Sequence, residues 1–331
     1  MKISKVVVIG SGTMGSGIAA QVANAGLQVH LLDLTIEIAT KACERIKKSR
    51  PPLLMEDNNL NHIIPGSIEN DMETLKDADW VVEAVVERID IKKTLYSQID
   101  TLRKPGALVS SNTSSIPLKV LTEDMSKEMK EVFCITHFFN PVRYMRLLEL
   151  VIGPQNDKEK INDLVNFGDK ILGKTVVVCN DSPGFLGNRV GVYAMQVAMT
   201  EAFNLGLTVE EADAVFGRPL GIPKTGIFGL YDLIGIDLMA DVLKSFIKEL
   251  PTSDPFHKVG KELPIINQLI EDGYTGRKGK GGFFRMNKSS DVKILESLDY
   301  KNNTYHESKK VDLSLPDVMD VVNVIERDDV Y

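Results

Sequence analysis

The chain is poor in cysteine: Cys43, Cys134 and Cys179 are its only three, and no two of them form a CxxC pair. Neither a disulfide framework nor a zinc site is supported by that, which leaves buried thiols as the simpler reading and no metal to expect. No apolar run approaches the roughly 20 residues that cross a bilayer, so no membrane partner is expected. Positive charge is in deficit, with 39 Lys and Arg against 46 Asp and Glu, for a net charge of -7. General nucleic-acid binding is disfavoured on that ground, and an anionic ligand must be met by local basic groups or helix N-termini. The chain enters its first strand at Lys5, which leaves no room for a signal or transit peptide, and a cytoplasmic location is expected. What remains is ordinary globular material. The 331 residues, 43% hydrophobic and 26% charged, are enough for two domains.

The most informative stretch runs from Lys5 to Asp33. Lys5-Val6-Val7-Val8-Ile9 has the β-branched, apolar pattern of a strand buried on both faces of a parallel sheet. Gly10-Ser11-Gly12-Thr13-Met14-Gly15 follows at once. The segment Ser16 to Ala25 has apolar residues at helical spacing and stops at Gly26, and a second strand, Leu27 to Asp33, ends on an acid. This order suits phosphate chemistry. Gly10 turns the chain sharply, Gly12 lets the backbone approach a pyrophosphate, and Gly15 allows close packing of helix on strand, with the helix N-terminus facing the anion. Asp33, 18 residues after Gly15, is placed to accept from both adenosine ribose hydroxyls and to repel a 2′-phosphate, so NAD is expected rather than NADP. A glycine loop alone is weak evidence; strand, loop, helix, strand and acid together put an ordinary βα turn well behind.

The next helix, Glu37 to Lys48, ends in Lys47, Lys48 and Arg50, read as a solvated helix end rather than a phosphate site. Pro51-Pro52 breaks it, and an irregular excursion to Gly66 follows. Trp80 to Glu87 reads as a strand with Glu83 and Glu87 near its ligand-binding end, then a helix from Asp90 to Leu102 and a strand Ala107 to Ser110. The βαβαβ alternation predicts an α/β fold, a doubly wound Rossmann-type parallel sheet followed by a mainly α-helical second domain. Ser111-Asn112-Thr113-Ser114-Ser115 sits past the last of these strands; such residues are also simply good helix caps. His137, within Phe133 to Pro141, is by itself more readily a satisfied core residue than a catalytic one. Its reading changes with Glu149. In the strand Met145 to Ile152, Glu149 shares a face with Leu147 and Val151, where a carboxylate needs a hydrogen-bonded partner. If the two strands are neighbours, His137 is that partner, and its other ring nitrogen is left as a general base.

Lys174 to Cys179 is the last strand of this half. Ser182 and Pro183 are read as the start of a long helix to Leu205, with Asn188 on its second turn. Thr208-Val209-Glu210-Glu211 is a capping box. Helices are expected to about residue 272, then the basic glycine loop Gly276 to Phe284, containing Lys278, and a small hairpin around Asn302-Asn303. Domains are expected at 1–181, 182–290 and 291–331, the last as a C-terminal extension.

The motifs VVVIGSGTMGSGIA, VVEAVVE, SSNTSS, THFFNP, LLELV and DSPGFLGNR, in this order, make the chain resemble the L-3-hydroxyacyl-CoA dehydrogenase family over roughly residues 3 to 285. The resemblance implies NAD-dependent oxidation of an (S)-3-hydroxyacyl-CoA to the 3-oxoacyl-CoA, as in fatty-acid β-oxidation, by a homodimer acting on an acyl-CoA thioester. It casts His137 as the catalytic base, Glu149 as the acid paired with it, and Ser114 and Asn188 as contacts to the substrate oxygen. On the cofactor side it implies Gly10, Gly12, Thr13, Met14, Gly15 and Asp33, then Glu87 and Lys92 near the nicotinamide, with Asn112, Asn140 and Lys278. Val142-Arg143-Tyr144, the segment Met55 to Gly66 and the residues between Gly221 and Asp232 look like the dehydrogenase part of longer chains that also carry an enoyl-CoA hydratase. On that reading, residues 286 to 331 begin a lost continuation or belong to a stand-alone relative. The rival expectations are a dehydrogenase of a free hydroxy acid or sugar acid, and a catalytically silent NAD-binding module.

Overall fold

The computed structural model describes residues 2–221, 224–287, 293–311 and 313. The chain divides into two units, Met1–Gly187 and Asn188–Tyr331. The first contains β1 (Lys5–Ile9), α1 (Thr13–Asn24), β2 (Gln28–Asp33), α2 (Ile36–Lys48), β3 (Ile63–Ser67), β4 (Trp80–Glu83), α3 (Ile89–Leu102) and β5 (Leu108–Ser111). It continues through α4 (Leu118–Leu121), α5 (Lys127–Val132), β6 (Phe133–Phe138), β7 (Leu147–Val151), α6 (Lys158–Lys170) and β8 (Thr175–Cys179).

These strands form one sheet in the order β3-β2-β1-β4-β5-β6-β7-β8. Pairing is parallel from β3 to β6, and antiparallel only between β6 and β7. The sheet is therefore doubly wound, as the alternation predicts, with its last two strands reversed. Side chains of β1 alternate between two cores: Val6 and Val8 pack with Trp80 and Val82, whereas Val7 and Ile9 pack with Val81 and Val109. Burial on both faces is why this strand carries no polar residue after Lys5, each such side chain contributing about 1.5–3 kcal/mol.

The first unit departs from the sequence reading at β3 and at β4. The excursion after Pro51-Pro52 contains a 3-10 turn, Asp57–His62, and then β3, which pairs with β2 in parallel. Pro65 is tolerated because β3 is the edge of the sheet. β4 stops at Glu83, so Glu87 lies on the connection to α3.

The second unit holds α7 (Gly187–Asn204, whose first residue closes the first unit), α8 (Val209–Val215), α9 (Phe228–Ile234), α10 (Ile236–Glu249), α11 (Phe256–Val259) and α12 (Pro264–Glu271). The Thr208–Glu211 capping box is formed on α8. The helix expected from Pro183 begins instead at Gly187, because Gly184 and Phe185 are both left-handed, at φ 74° and 49°. Asn188 accordingly lies in the first turn of α7. Beyond the helices, β9 (Phe284–Asn287), β10 (Ile294–Asp299) and β11 (Thr304–Glu307) form an antiparallel sheet in the order β11-β10-β9. The hairpin expected around Asn302-Asn303 is β10-β11; β9, which follows the glycine loop, was not signalled as a strand. Residues 314–331, within the proposed continuation, lie outside the described residues.

Candidate active site

β1 delivers the chain to the glycine loop. Gly10 has φ +100°, and a Cβ there would lie 2.5 Å from the Ala84 carbonyl oxygen of the neighbouring strand end. A Cβ on Gly15 would lie 1.8 Å from the Gly10 carbonyl oxygen, so helix and loop touch backbone to backbone. Gly12 is different: a Cβ there meets nothing within 4 Å. It is the N-cap of α1 and makes no side-chain cap hydrogen bond, and the first turn, Thr13, Met14 and Gly15, holds no acid. Open space over uncapped N–H groups at a positive helix end fits a pyrophosphate.

Asp33 closes β2 beside this loop. One carboxylate oxygen accepts from the Ser11 N–H and hydroxyl, both at 2.6 Å, and the other from the Leu34 N–H at 2.7 Å. A carboxylate offers about four lone-pair sites, so it is oriented by the protein and retains capacity for a ribose hydroxyl. The adenosine side of a dinucleotide thus fits the residues present.

The second feature is the cross-strand pair. His137 on β6 stands directly opposite Glu149 on β7, and Nδ1 lies 2.6 Å from Glu149 Oε2. Glu149 is fully buried, yet its other oxygen accepts the backbone N–H groups of Leu186 at 2.8 Å and Gly187 at 2.6 Å. Burial alone raises its pKa, but the His137 contact and these two N–H groups outweigh it and hold the carboxyl below the ordinary value. An ionised Glu149 accepts the Nδ1 proton of His137 and leaves the lone pair on Nε2. Phe139 and Phe185 flank the imidazole at ring distances of 4.6 and 5.6 Å. Leu186 and Gly187 were missed in the sequence; they follow the left-handed Gly184-Phe185 turn, and their N–H groups reach the carboxylate.

A cleft of about 330 Å³ runs from Met14, in the glycine loop, to His137. Its walls include Met14, Glu87, Lys92, Asn112, Ser114, His137 and Asn140, seven of the residues singled out from the sequence. Lys92 is only 1% exposed, because its ammonium is held by Glu83 at 2.7 Å and Glu87 at 3.2 Å. Glu87 carries the loop of small polar residues: it accepts from the Thr113 hydroxyl, from the N–H groups of Ser114 and Ser115, and from the Ser115 hydroxyl. Burial pushes Glu87 up, but Lys92 and Thr113 together hold it below the ordinary carboxyl value. Asn112 accepts the Phe138 N–H at 2.9 Å, tying this loop to the strand that bears His137. Asn188 and Lys278 belong to the second unit, where Lys278 pairs with Asp237 at 2.7 Å. Among the described residues no group of His, Cys, Asp or Glu is arranged to hold a metal, and no helix is long and apolar enough to cross a membrane.

A dinucleotide cradle and a carboxylate-held imidazole on one cleft define a nicotinamide-dependent oxidoreductase as the class. Residues 5–182 match the NAD binding domain of 3-hydroxyacyl-CoA dehydrogenase, and residues 184–286 match its C-terminal domain. The chain belongs to the 3-hydroxyacyl-CoA dehydrogenase family, and NAD is its cofactor. It is 43% identical over 320 residues to a Rickettsia felis protein named as a candidate fatty acid oxidation complex trifunctional enzyme, covering 95% of this chain and 44% of that one. The chain thus spans less than half the length of that relative. A candidate 3-hydroxyacyl-CoA dehydrogenase of Deinococcus radiodurans is 36% identical, with 88% of this chain and 86% of the relative covered. Among solved structures, the (S)-3-hydroxybutyryl-CoA dehydrogenase PaaH1 of Ralstonia eutropha is similar with a TM-score of 0.72 at 30% identity, covering 85% of this chain and 98% of that one.

Proposed function

We propose that this chain oxidises an (S)-3-hydroxyacyl-CoA thioester to the 3-oxoacyl-CoA with NAD, in fatty-acid β-oxidation or short-chain acyl-CoA metabolism. The observation that carries the reading is the buried His137–Glu149 pair, whose imidazole lines the same cleft as Met14 of the glycine loop and Ser114. Bound NAD supplies the acceptor for the C3 hydride. Gly10, Gly12, Thr13, Met14 and Gly15 hold its pyrophosphate and Asp33 its adenosine ribose, while Glu87, Lys92, Asn112 and Asn140 shape the nicotinamide side. His137 Nε2 takes the substrate hydroxyl proton, and Glu149 stabilises the imidazolium across the Nδ1 bond. Ser114 orients the substrate oxygen, a role the family resemblance also gives to Asn188, as it gives Lys278 to the cofactor. A positioned base of this kind contributes about 10² to 10⁴ in rate. The acyl-CoA substrate is supported by relatives named for 3-hydroxyacyl-CoA and 3-hydroxybutyryl-CoA, and a cytoplasmic homodimer belongs to the same proposal. The test is reduction of acetoacetyl-CoA at the expense of NADH by wild type and by His137→Gln. Wild-type turnover, lost in a variant that still binds NADH, supports the reading; full activity in His137→Gln overturns it.

A further inference from the structure

β4 ends on a carboxylate with no accessible surface, Glu83. Four donors converge on its two oxygens. The Val85 N–H at 2.8 Å and the Lys92 ammonium at 2.7 Å reach one, and the hydroxyls of Tyr96 at 2.5 Å and Ser111 at 2.7 Å reach the other. Four donors take up about four lone-pair sites, the full acceptor capacity of an ionised carboxyl, so this donor set fits a buried anion. Lys92 is the compensating charge, and it is shared: its ammonium also lies 3.2 Å from Glu87. Two carboxylates around one ammonium leave a single net negative charge on this wall of the cleft. On β6 and β7, further along the same sheet, the His137–Glu149 pair is a separate unit with its own backbone donors.

We infer that Glu83 is a positioning residue for the nicotinamide side of the cleft: by fixing Lys92 against Glu87 it leaves one net negative charge there, which favours the cationic oxidised nicotinamide over the neutral reduced one. This rests on the NAD-dependent reading proposed above, and it does not require Glu83 to touch cofactor or substrate. The oxidised ring carries a positive charge and the reduced ring none. A change in wall charge therefore acts on the two affinities unequally, whereas a loss of shape acts on both.

The experiment measures the Kd of NADH by its fluorescence and that of NAD by competition, on the full chain and its variants. Glu83→Gln keeps the side-chain shape and removes the charge; the ratio of the NAD to the NADH Kd should rise on the order of tenfold. Adding Lys92→Met to that variant leaves Glu87 as the charge on this wall and should return the ratio to within about threefold of wild type. A purely structural role predicts the opposite, since the double variant disturbs more packing. Tyr96→Phe, which removes one hydrogen bond to Glu83 but no charge, should leave the ratio unmoved. Glu87→Gln, at a side chain 37% exposed, removes the same net charge and carries the test if Glu83→Gln does not fold. An unchanged ratio in whichever of these two folds overturns the inference. Wild type that binds and turns over while the variant ratio stays fixed overturns the inference alone; wild type that binds no NADH overturns the cofactor reading and the inference with it.

Discussion

Replacing Glu149 by glutamine exchanges one oxygen for nitrogen at a buried site where every contact has a direction. The N–H groups of Leu186 and Gly187 require an acceptor, so the amide oxygen takes the Oε1 position and the NH2 group faces His137 Nδ1. A donor there demands the tautomer with its proton on Nε2, which removes the lone pair to which the proposed function assigns the substrate proton. The rate should fall by about 10² to 10⁴, or roughly 2.7–5.4 kcal/mol in activation free energy. Stability should change by no more than about 2 kcal/mol, because the contacts persist in neutral form and a buried amide costs less than a buried carboxylate. The sign of the pH dependence follows from the depressed carboxyl. Glu149 contributes stability above its unfolded pKa and loses it as pH falls through the folded value, so this acid limb should be absent in the variant. The assay is NADH consumption with acetoacetyl-CoA, alongside NADH binding by fluorescence. A folded Glu149→Gln protein within about threefold of wild-type kcat would refute the assignment of the pair.

The glycine loop yields a contrast. Gly15→Ala must push helix from glycine loop and should cost more than about 2 kcal/mol in chemical denaturation, whereas Gly12→Ala should leave stability within about 0.5 kcal/mol and weaken NADH binding at least tenfold. Asp33→Asn removes the charge that opposes a 2′-phosphate, and the kcat/KM ratio of NADPH to NADH should rise about tenfold or more in a direct comparison. In the second unit, burial pushes Asp232 up to about 7 and Asp213 up to about 6. Both folded values lie above the unfolded one, so the folded state binds extra protons in between and stability falls as pH rises from about 4 to 7. Thermal unfolding should show that slope, and Asp232→Asn should flatten it; a Tm that rises across this range would contradict the assignment.

The first βαβ unit was legible because its signals are local: an unbroken β-branched run, three glycines and a terminal acid within one stretch. The His137–Glu149 pair was legible for a different reason, a charged residue at an inward strand position having few ways to be satisfied. β3 was hidden because Pro65 and Gly66 lie within it, and only its edge position makes them harmless. The start of α7 was misplaced because Ser182 and Pro183 imitate a helix start, while the positive φ of Phe185 leaves no trace in its side-chain type. Glu83 stood out as an acid on a strand, but its role depends on Lys92, Tyr96 and Ser111, brought together from a helix and a neighbouring strand.

The most direct measurement of the central claim is the rate of NADH consumption with acetoacetyl-CoA, set beside NADPH and beside free acetoacetate. Rapid consumption is expected with the thioester and NADH, at least about a hundredfold slower turnover with NADPH, and none with the free acid. Tight NADH binding without turnover of any 3-oxoacyl-CoA, short or long, would contradict it.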